Sequence, residues 1–294
     1  MTSPPASEEI WPIGRLLDWT QQFFGRKRLE SPRLDAELLL AHVLGCTRIE
    51  LYTNYDAEVG EGDRTRFKEL VKRRASHEPV AYLTGEREFY GLPFSVGKDV
   101  LIPRPETEHL IDAAVAFLKE REAPTFADVG VGSGCIAVSI AAEVRTSMGV
   151  GFDVCPRALD VAKSNAERNG VLDRITFVES NLLAASPIDA FDLVASNPPY
   201  VTEEEWNSLS PDVREWEPKL ALLGGADGLD VYRRLIPEAA ARLKPGGRLL
   251  LEIGSRQEEE VSAVIQNEST LKLLSTIKDY GGHPRVVVAE RIRD

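Results

Sequence analysis

Through the first quarter of the chain, apolar side chains recur every three or four residues. This spacing covers three segments, 13–24, 35–44 and 63–74, with polar residues between the apolar positions. It places the apolar side chains on one face of an amphipathic helix. Because no strand pattern separates the segments, the sequence predicts a small helical bundle over residues 1–78. Such a bundle either only stabilises the chain or recognises a partner, and we expect it to recognise the substrate.

Residues 79–108 have a different pattern. Four prolines and three glycines interrupt short apolar pairs such as Phe89-Tyr90. Proline and glycine at this density mark turns and hairpins rather than long helices. The sequence predicts a hairpin-containing linker here.

From residue 109 onward, short apolar runs alternate with helical patterns. Strands are predicted at 126–129, 149–152, 175–178, 191–195, 248–253 and 285–289, and helices at 135–143 and 157–169. Strands that alternate with helices form a parallel sheet with helices on both faces. The predicted fold class is therefore α/β, with a second domain over residues 109–294. Ligands of such sheets bind beyond the carboxyl ends of the strands.

Charge and cysteine content narrow the function classes. The 294 residues carry a net charge of −12, whereas proteins that neutralise nucleic-acid phosphates usually have a basic surface. The three cysteines form no CxxC pair, which argues against a zinc site or a disulfide framework. No run approaches the length of a membrane span. We expect a cytoplasmic monomer without a metal, a membrane contact or stable nucleic-acid binding.

A glycine-rich loop follows the first predicted strand of the second domain. Gly130, Gly132 and Gly134 permit a tight turn and let the backbone approach a ligand closely. The spacing is GxGxG, whereas the dinucleotide fingerprint is GxGxxG. Asp153 ends the next strand, where a carboxylate can accept hydrogen bonds from ribose hydroxyls, although it can also cap the following helix. Loop and acid together fit a nucleoside without a pyrophosphate, such as S-adenosylmethionine.

The segment Asn197-Pro198-Pro199-Tyr200 follows a buried strand at the same end of the sheet. Two prolines fix the backbone and remove two N–H donors, so the loop is stiff. The Asn197 side-chain oxygen and the Pro198 carbonyl can each accept one N–H of a planar NH₂ group, and the Tyr200 ring can stack on that group. The pattern favours methyl transfer to an sp² nitrogen, with catalysis by positioning and oriented dipoles.

These motifs resemble those of the release factor glutamine methyltransferase family (HemK/PrmC). The glycine loop, Asp153 and NPPY are shared by many amino-methyltransferases, but the flanking segments are more specific. They are PVAYLTGEREFYGLPFSV at 79–96, LIPRPETE at 101–108, EPKLALLGGADGLDVYRRLI at 217–236 and LKPGGRLLLEIG at 243–254. The resemblance spans nearly the whole chain. It implies a Rossmann-like class I methyltransferase domain, S-adenosylmethionine as cofactor, and methylation of the glutamine in the Gly-Gly-Gln motif of peptide chain release factors.

The resemblance also implies roles for particular residues. Residues 130–134 (Gly130, Val131, Gly132, Ser133 and Gly134) would line the methionine part of the cofactor. Asp128 lies at the entry of the loop, and its position alone predicts that it supports the loop or meets the methionine ammonium group through water. Asp153 would bind the ribose, while Asn181 and Leu182 would lie beside the adenine, although the family often has an acid where this chain has Asn181. Asn197 would touch cofactor and glutamine, and Pro198, Pro199 and Tyr200 would complete the glutamine pocket. Arg104 and Glu106 either close over the site or form structural ion pairs.

Three other readings remain open at this stage. A DNA adenine methyltransferase shares the NPPY chemistry, but it needs a basic groove for a flipped base. An rRNA guanine methyltransferase meets the same objection from the acidic composition. A non-catalytic binding protein would not need Asn197 together with the glycine loop.

Overall fold

The chain divides into two compact units at the boundary between Gly85 and Glu86. The structure, a computed structural model, describes residues 11–292. This boundary falls inside the hairpin-containing linker predicted over 79–108. The helix Val80–Thr84 belongs to the first unit, and the hairpin that follows belongs to the second.

The first unit is a bundle of short helices, as the apolar spacing predicts. Its helices are α1 (Ile13–Arg26), α2 (Pro32–Leu44), α3 (Arg48–Thr53), α4 (Glu61–Arg74) and α5 (Val80–Thr84). Phe24, Leu39, Leu40 and Leu51 are fully buried at its centre. Burial of such side chains away from water is the main stabilising contribution to a bundle of this size.

The second unit begins with a β-hairpin that is fastened to a helix. Strands β1 (Glu86–Phe89) and β2 (Leu92–Ser95) pair antiparallel. Asn165, on the helix Pro156–Arg168, accepts a hydrogen bond from the Ser95 amide (2.7 Å) and donates one to the Ser95 carbonyl (2.9 Å). The side-chain amide of Asn165 thus holds the hairpin against the helix with two hydrogen bonds, one accepted and one donated.

A seven-stranded sheet forms the centre of the second unit. Its strands are β3 (Thr125–Val129), β4 (Met148–Asp153), β5 (Ile175–Glu179), β6 (Phe191–Ser196), β7 (Leu243–Glu252), β8 (Leu271–Lys278) and β9 (Pro284–Arg291). The order across the sheet is β5-β4-β3-β6-β7-β9-β8. The first five strands in this order are parallel, and β9 runs antiparallel to both of its neighbours. The prediction of a parallel sheet thus fails at the β9–β8 edge, and β8 has no counterpart among the predicted strands.

Helices cover both faces of this sheet. They are α6 (Glu108–Leu118), α7 (Cys135–Glu143), α8 (Pro156–Arg168), α11 (Asp230–Arg242) and α12 (Glu258–Gln266). Two short helices without a buried residue, α9 (Glu203–Trp206) and α10 (Pro211–Arg214), lie between β6 and α11 in the sequence. Alternate residues of a strand point to opposite faces. Phe126 accordingly packs with α6, α7 and α8, whereas Ala127 packs with α11 and α12. No helix within residues 11–292 is long and apolar enough to cross a membrane.

A buried carboxylate supports the start of helix α7. Asp128 is fully buried, and its Oδ2 accepts a hydrogen bond from the Ala137 amide at 3.0 Å. Its Oδ1 has no hydrogen-bond partner among the described residues. Burial raises the pKa of Asp128 to about 7, although the Ala137 bond opposes that increase. The folded protein therefore holds the Asp128 proton to a higher pH than the unfolded chain does.

This difference predicts a pH-dependent stability. The contribution of Asp128 is fully present below its ordinary pKa and is lost as pH rises through 7, by at most about 1.4 kcal/mol per pH unit. Asp128→Asn can still accept the hydrogen bond from Ala137 but does not ionise. We expect its free energy of unfolding, relative to that of wild type, to be about 1–3 kcal/mol higher at pH 8 than at pH 5. Urea unfolding at the two pH values measures this difference.

Asp192→Asn provides the control for this experiment. Burial would raise the pKa of Asp192, but hydrogen bonds from Lys244 and Thr125 outweigh it and lower that pKa. Asp192 is therefore ionised in both states above pH 5, and its variant should keep a constant difference from wild type. If the free energy of unfolding of Asp128→Asn also kept a constant difference from wild type, the raised pKa of Asp128 would be contradicted.

Candidate active site

A cavity of about 290 Å³ lies at the carboxyl ends of β3, β4, β5 and β6. The chain reverses its direction of strand addition between β3 and β6, which is where ligands bind in open α/β sheets. Ten of the predicted site residues line this cavity: Gly130, Val131, Gly132, Ser133, Asp153, Asn181, Leu182, Asn197, Pro198 and Pro199. The fold thus brings together residues that are far apart in the sequence.

The glycine loop turns the chain at the end of β3. Gly130 and Gly132 have φ values of +75° and +52°, in the left-handed region that side chains disfavour. The amides of Gly130 and Val131 both donate to the Phe152 carbonyl, at 2.8 and 2.9 Å. These bonds tie the loop to the end of the neighbouring strand β4. A Cβ added at Gly130 would meet no heavy atom within 4 Å, so the inner side of the turn is open.

Asp153 serves as a second support for the loop. Its Oδ2 accepts a hydrogen bond from the Gly132 amide at 3.0 Å, and its Oδ1 accepts one from the Cys155 amide at 2.9 Å. The side chain does not cap helix α8, whose preceding residue Cys155 carries no side-chain cap. Each carboxylate oxygen has capacity for a further donor. Asp153 can therefore hold the loop and also bind hydroxyl groups in the cavity.

The strand that carries the Asn-Pro-Pro segment is fastened to the strand that carries the glycine loop. The Ser196 hydroxyl donates to the Val129 carbonyl at 2.6 Å, which joins the last residues of β6 and β3. Asn197, the next residue, is half-buried on the cavity wall, and its Nδ2 donates to the Thr107 hydroxyl at 3.4 Å. The loop and the Asn197 amide are thereby held on one rigid edge of the sheet.

Three predicted residues do not lie on the cavity wall. Asp128 supports helix α7 from within the core. Gly134 lies at the other end of the loop, where a Cβ would come within 3.2 Å of Ala162, so it allows close packing of α7 against α8. Tyr200 packs against the core that includes α11 and α12, and burial raises its pKa to about 12. Tyr200 is not among the residues that line this cavity, whereas the sequence predicted that its ring would stack on a planar group there.

Asn181 and Leu182 line the cavity just after the end of β5. The Asn181 Oδ1 accepts a hydrogen bond from Arg234 at 2.7 Å, and Arg234 also lines the cavity. Because its oxygen is engaged, Asn181 has its Nδ2 group left to donate to a ligand. A carboxylate at this position would have only acceptors.

Glu217 joins two segments of the cavity wall. Its carboxylate pairs with Arg104 at 2.5 Å and accepts a hydrogen bond from the Ile102 amide at 3.1 Å. Arg104 and the residues just after Glu217 line the cavity. Arg104 is therefore part of an ion pair on the cavity wall, and its closing over the cofactor or the release factor stays a prediction.

Sequence reasoning missed three supporting residues. Asn165 donates to the Ser133 carbonyl at 2.8 Å and steadies the glycine loop, Glu217 holds Arg104, and Thr107 meets Asn197. Their partners lie 32 to 113 positions away in the sequence, so no local spacing reveals them. Glu217 is the first residue of segment 217–236, on which the family resemblance partly rests, and that position was the sequence signal that could have identified it.

Cys135 and Cys155 lie on the cavity wall. All three cysteines are free, and burial raises the pKa of the Cys135 thiol to about 12. Within the described part of the chain, no group of three or more His, Cys, Asp or Glu side chains is placed to hold a metal ion.

Two family models match the chain. The PrmC N-terminal domain matches residues 15–85, and the methyltransferase small domain matches residues 109–210. The first match ends at the boundary between the two compact units, and the second contains the glycine loop, Asp153 and the Asn-Pro-Pro segment.

Curated relatives match over almost their whole length. A release factor glutamine methyltransferase from Rhodopirellula baltica is 43% identical over 97% of this chain and 98% of the relative. Another, from Geobacter sulfurreducens, is 41% identical over 98% of each chain. A solved methyltransferase from Pyrococcus furiosus is 19% identical, with a TM-score of 0.51 over 69% of this chain and 90% of that one, and shares the fold. On the identity and coverage of these relatives, the chain belongs to the release factor glutamine methyltransferase family.

Proposed function

We propose that this protein transfers a methyl group from S-adenosylmethionine to the side-chain amide nitrogen of the glutamine in the Gly-Gly-Gln motif of peptide chain release factors. The observation that carries the proposal is the position of Asn197 beside the glycine loop on one cavity wall. Family membership supports the amide as acceptor, because the relatives are named for glutamine methylation in release factors.

The cavity has features that fit S-adenosylmethionine. The open, left-handed turn at Gly130 and Gly132 leaves room for the methionine part against the main chain. Asp153 retains acceptor capacity for ribose hydroxyls, and Asn181 can donate to the adenine edge beside Leu182. When bound, the cofactor supplies an electrophilic methyl group on a sulfonium.

The Asn-Pro-Pro segment supplies acceptors for a primary amide. The Asn197 Oδ1 and the Pro198 carbonyl can each accept one N–H of the glutamine NH₂ group, which orients its nitrogen. Proline at 198 and 199 keeps the backbone stiff and removes competing N–H donors. No general base has to act first, because the nitrogen becomes acidic only as it gains the methyl. It then loses one proton to water, and S-adenosylhomocysteine is the other product. Positioning and oriented dipoles then account for the rate enhancement. We assign Pro199 and Tyr200 to the support of this pocket.

The alternative is methylation of an exocyclic amine in DNA or rRNA. The same oxygens could accept hydrogen bonds from such an amine, but the net charge of −12 disfavours a nucleic-acid substrate. We also propose that the protein acts in the cytoplasm as a monomer, without a stable nucleic-acid contact. A protein substrate that bears a planar amide fits the charge and the site together.

The substrate assignment is tested by incubating purified release factor with the protein and S-adenosylmethionine, followed by mass spectrometry of the released peptides. We expect one added methyl on the Gly-Gly-Gln glutamine. Asn197→Ala should lower the rate by about 10²-fold or more, since it removes a preorganised acceptor. Asn267→Ala, at the end of helix α12, is the matched control and should retain wild-type activity. Methylation of DNA or rRNA but not of release factor would overturn the assignment.

The cofactor assignment is tested by measuring S-adenosylmethionine affinity calorimetrically. Asp153→Ala removes charge-assisted hydrogen bonds to the loop and to the ribose, so we expect the Kd to increase about 10- to 100-fold. Asp160→Ala removes an exposed carboxylate from helix α8 and should leave the Kd unchanged. An equal Kd for Asp153→Ala and wild type would remove Asp153 from the cofactor site.

We further propose that the N-terminal unit recognises the release factor. Ile49 and Leu34 are exposed apolar side chains there, with exposed fractions of 76% and 39%. We expect a Leu34→Ser/Ile49→Ser double variant to raise the KM for release factor roughly tenfold while the Kd for S-adenosylmethionine stays constant. Leu274→Ser, which alters a similarly exposed leucine of strand β8, is the control. An unchanged KM in the double variant would exclude these two side chains from the contact.

A further inference from the structure

The side-chain amide of Asn197 is hydrogen-bonded to a buried pair of residues that the proposed mechanism does not use. Its Nδ2 donates to the Thr107 Oγ1 at 3.4 Å, across 90 positions of sequence. Thr107 is 1% exposed and lies in the turn that leads into helix α6. The Thr107 hydroxyl in turn donates to the Glu252 Oε2 at 2.6 Å.

When Glu252 is ionised, the hydrogen bonds from Asn197 through Thr107 to Glu252 can run in only one direction. An ionised carboxylate only accepts hydrogen bonds, so the single Thr107 proton goes to Glu252. The Thr107 oxygen can then only accept a hydrogen bond from Asn197. The NH₂ end of the Asn197 amide is therefore turned toward Thr107, and Oδ1 is the end that remains available elsewhere.

Glu252 is the fixed end of this series of hydrogen bonds, because it lies in the buried part of the sheet. It is the last residue of β7, the strand next to β6, and is 1% exposed. The Tyr232 hydroxyl donates to its backbone carbonyl at 2.7 Å. Burial raises the pKa of Glu252 to about 7, and the hydrogen bond from Thr107 opposes that increase because it favours the ionised form.

The direction of the Asn197 amide decides what the site can bind. With Oδ1 available, Asn197 accepts an N–H from a primary amide. With the amide reversed, its NH₂ group would face another NH₂ group, and two donors form no hydrogen bond. A side-chain amide has nearly the same shape in both orientations, so only its hydrogen-bond partners distinguish them.

We infer that Thr107 and Glu252 are positioning residues that fix the Asn197 amide with Oδ1 available to an N–H of the acceptor amide. The inference rests on the proposed function for the identity of that acceptor. Thr107 and Glu252 touch neither substrate nor cofactor in this role, and they act on the reaction only through Asn197.

The test compares Thr107→Val with Thr107→Ser in the full-length protein at about pH 8, above the pKa of Glu252. Valine has nearly the shape of threonine but neither donates nor accepts, whereas serine keeps the hydroxyl. We expect the valine variant to lose about tenfold or more in kcat on release factor, the value of roughly one hydrogen bond. Its Kd for S-adenosylmethionine should stay near wild type, its Tm should fall because the buried Glu252 carboxylate loses the hydrogen bond from Thr107, and the serine variant should recover most of both the rate and the Tm.

A second measurement does not depend on the substrate. In protein labelled with ¹⁵N-asparagine, the Asn197 side-chain signal is the one absent from Asn197→Ala. We expect this signal to shift in Thr107→Val and to return toward its wild-type position in Thr107→Ser, because only the hydroxyl accepts its N–H.

The proposed function and the orientation of the Asn197 amide can fail independently. Wild-type protein that does not methylate release factor would refute the proposed function, and the ¹⁵N signal would still test the amide orientation. Wild-type kcat or an unshifted Asn197 signal in Thr107→Val would overturn the inference. So would an equal loss of kcat, cofactor affinity and Tm in both Thr107 variants, which would indicate a purely structural role.

Discussion

Two backbone hydrogen bonds, from the amides of Gly130 and Val131 to the carbonyl of Phe152, turn the chain at the end of strand β3. Because the acceptor lies at the end of β4, the turn is defined relative to two strands at once. The bond between Ser196 and the Val129 carbonyl then places β6, and with it Asn197, against the same edge. The relative positions of glycine loop, acid and acceptor amide follow from these three bonds, since each joins the ends of neighbouring strands.

The hydrophobic pattern predicted the parts of this arrangement that depend on local sequence. The runs around Phe126 and Phe191 are buried on both sides, so their apolar character alone indicates internal strands. Strand β8 was missed because it lies at the sheet edge, where Leu271 is buried and most of the following side chains are partly or fully exposed. Its neighbour β9 was predicted as a strand, but strand direction is set by tertiary pairing, which local sequence does not encode.

The site shows the same division between local and long-range information. Glycine spacing and the Asn-Pro-Pro motif predicted the cavity wall, because a motif that follows a strand comes to the carboxyl edge of the sheet. The positions of Asp128 and Tyr200 were not predicted in the same way, since whether a side chain faces the core or the cavity depends on helices α7, α11 and α12. Buried polar partners such as Thr107 and Glu252 are also invisible to spacing, because each was brought to Asn197 by the fold alone.

The glycine loop has a consequence for how this protein can be dissected. Its shape is set by main-chain atoms: three of its amides are used by Phe152 and by the Asp153 carboxylate, and its inner side carries no side chain at Gly130 or Gly132. An alanine scan removes side-chain atoms, or adds a Cβ at Gly130 and Gly132, but it leaves every one of these N–H groups in place. Amide-to-ester replacement at Gly130 or Val131, which deletes a single N–H and keeps every side chain, is the kind of chemical change that addresses them.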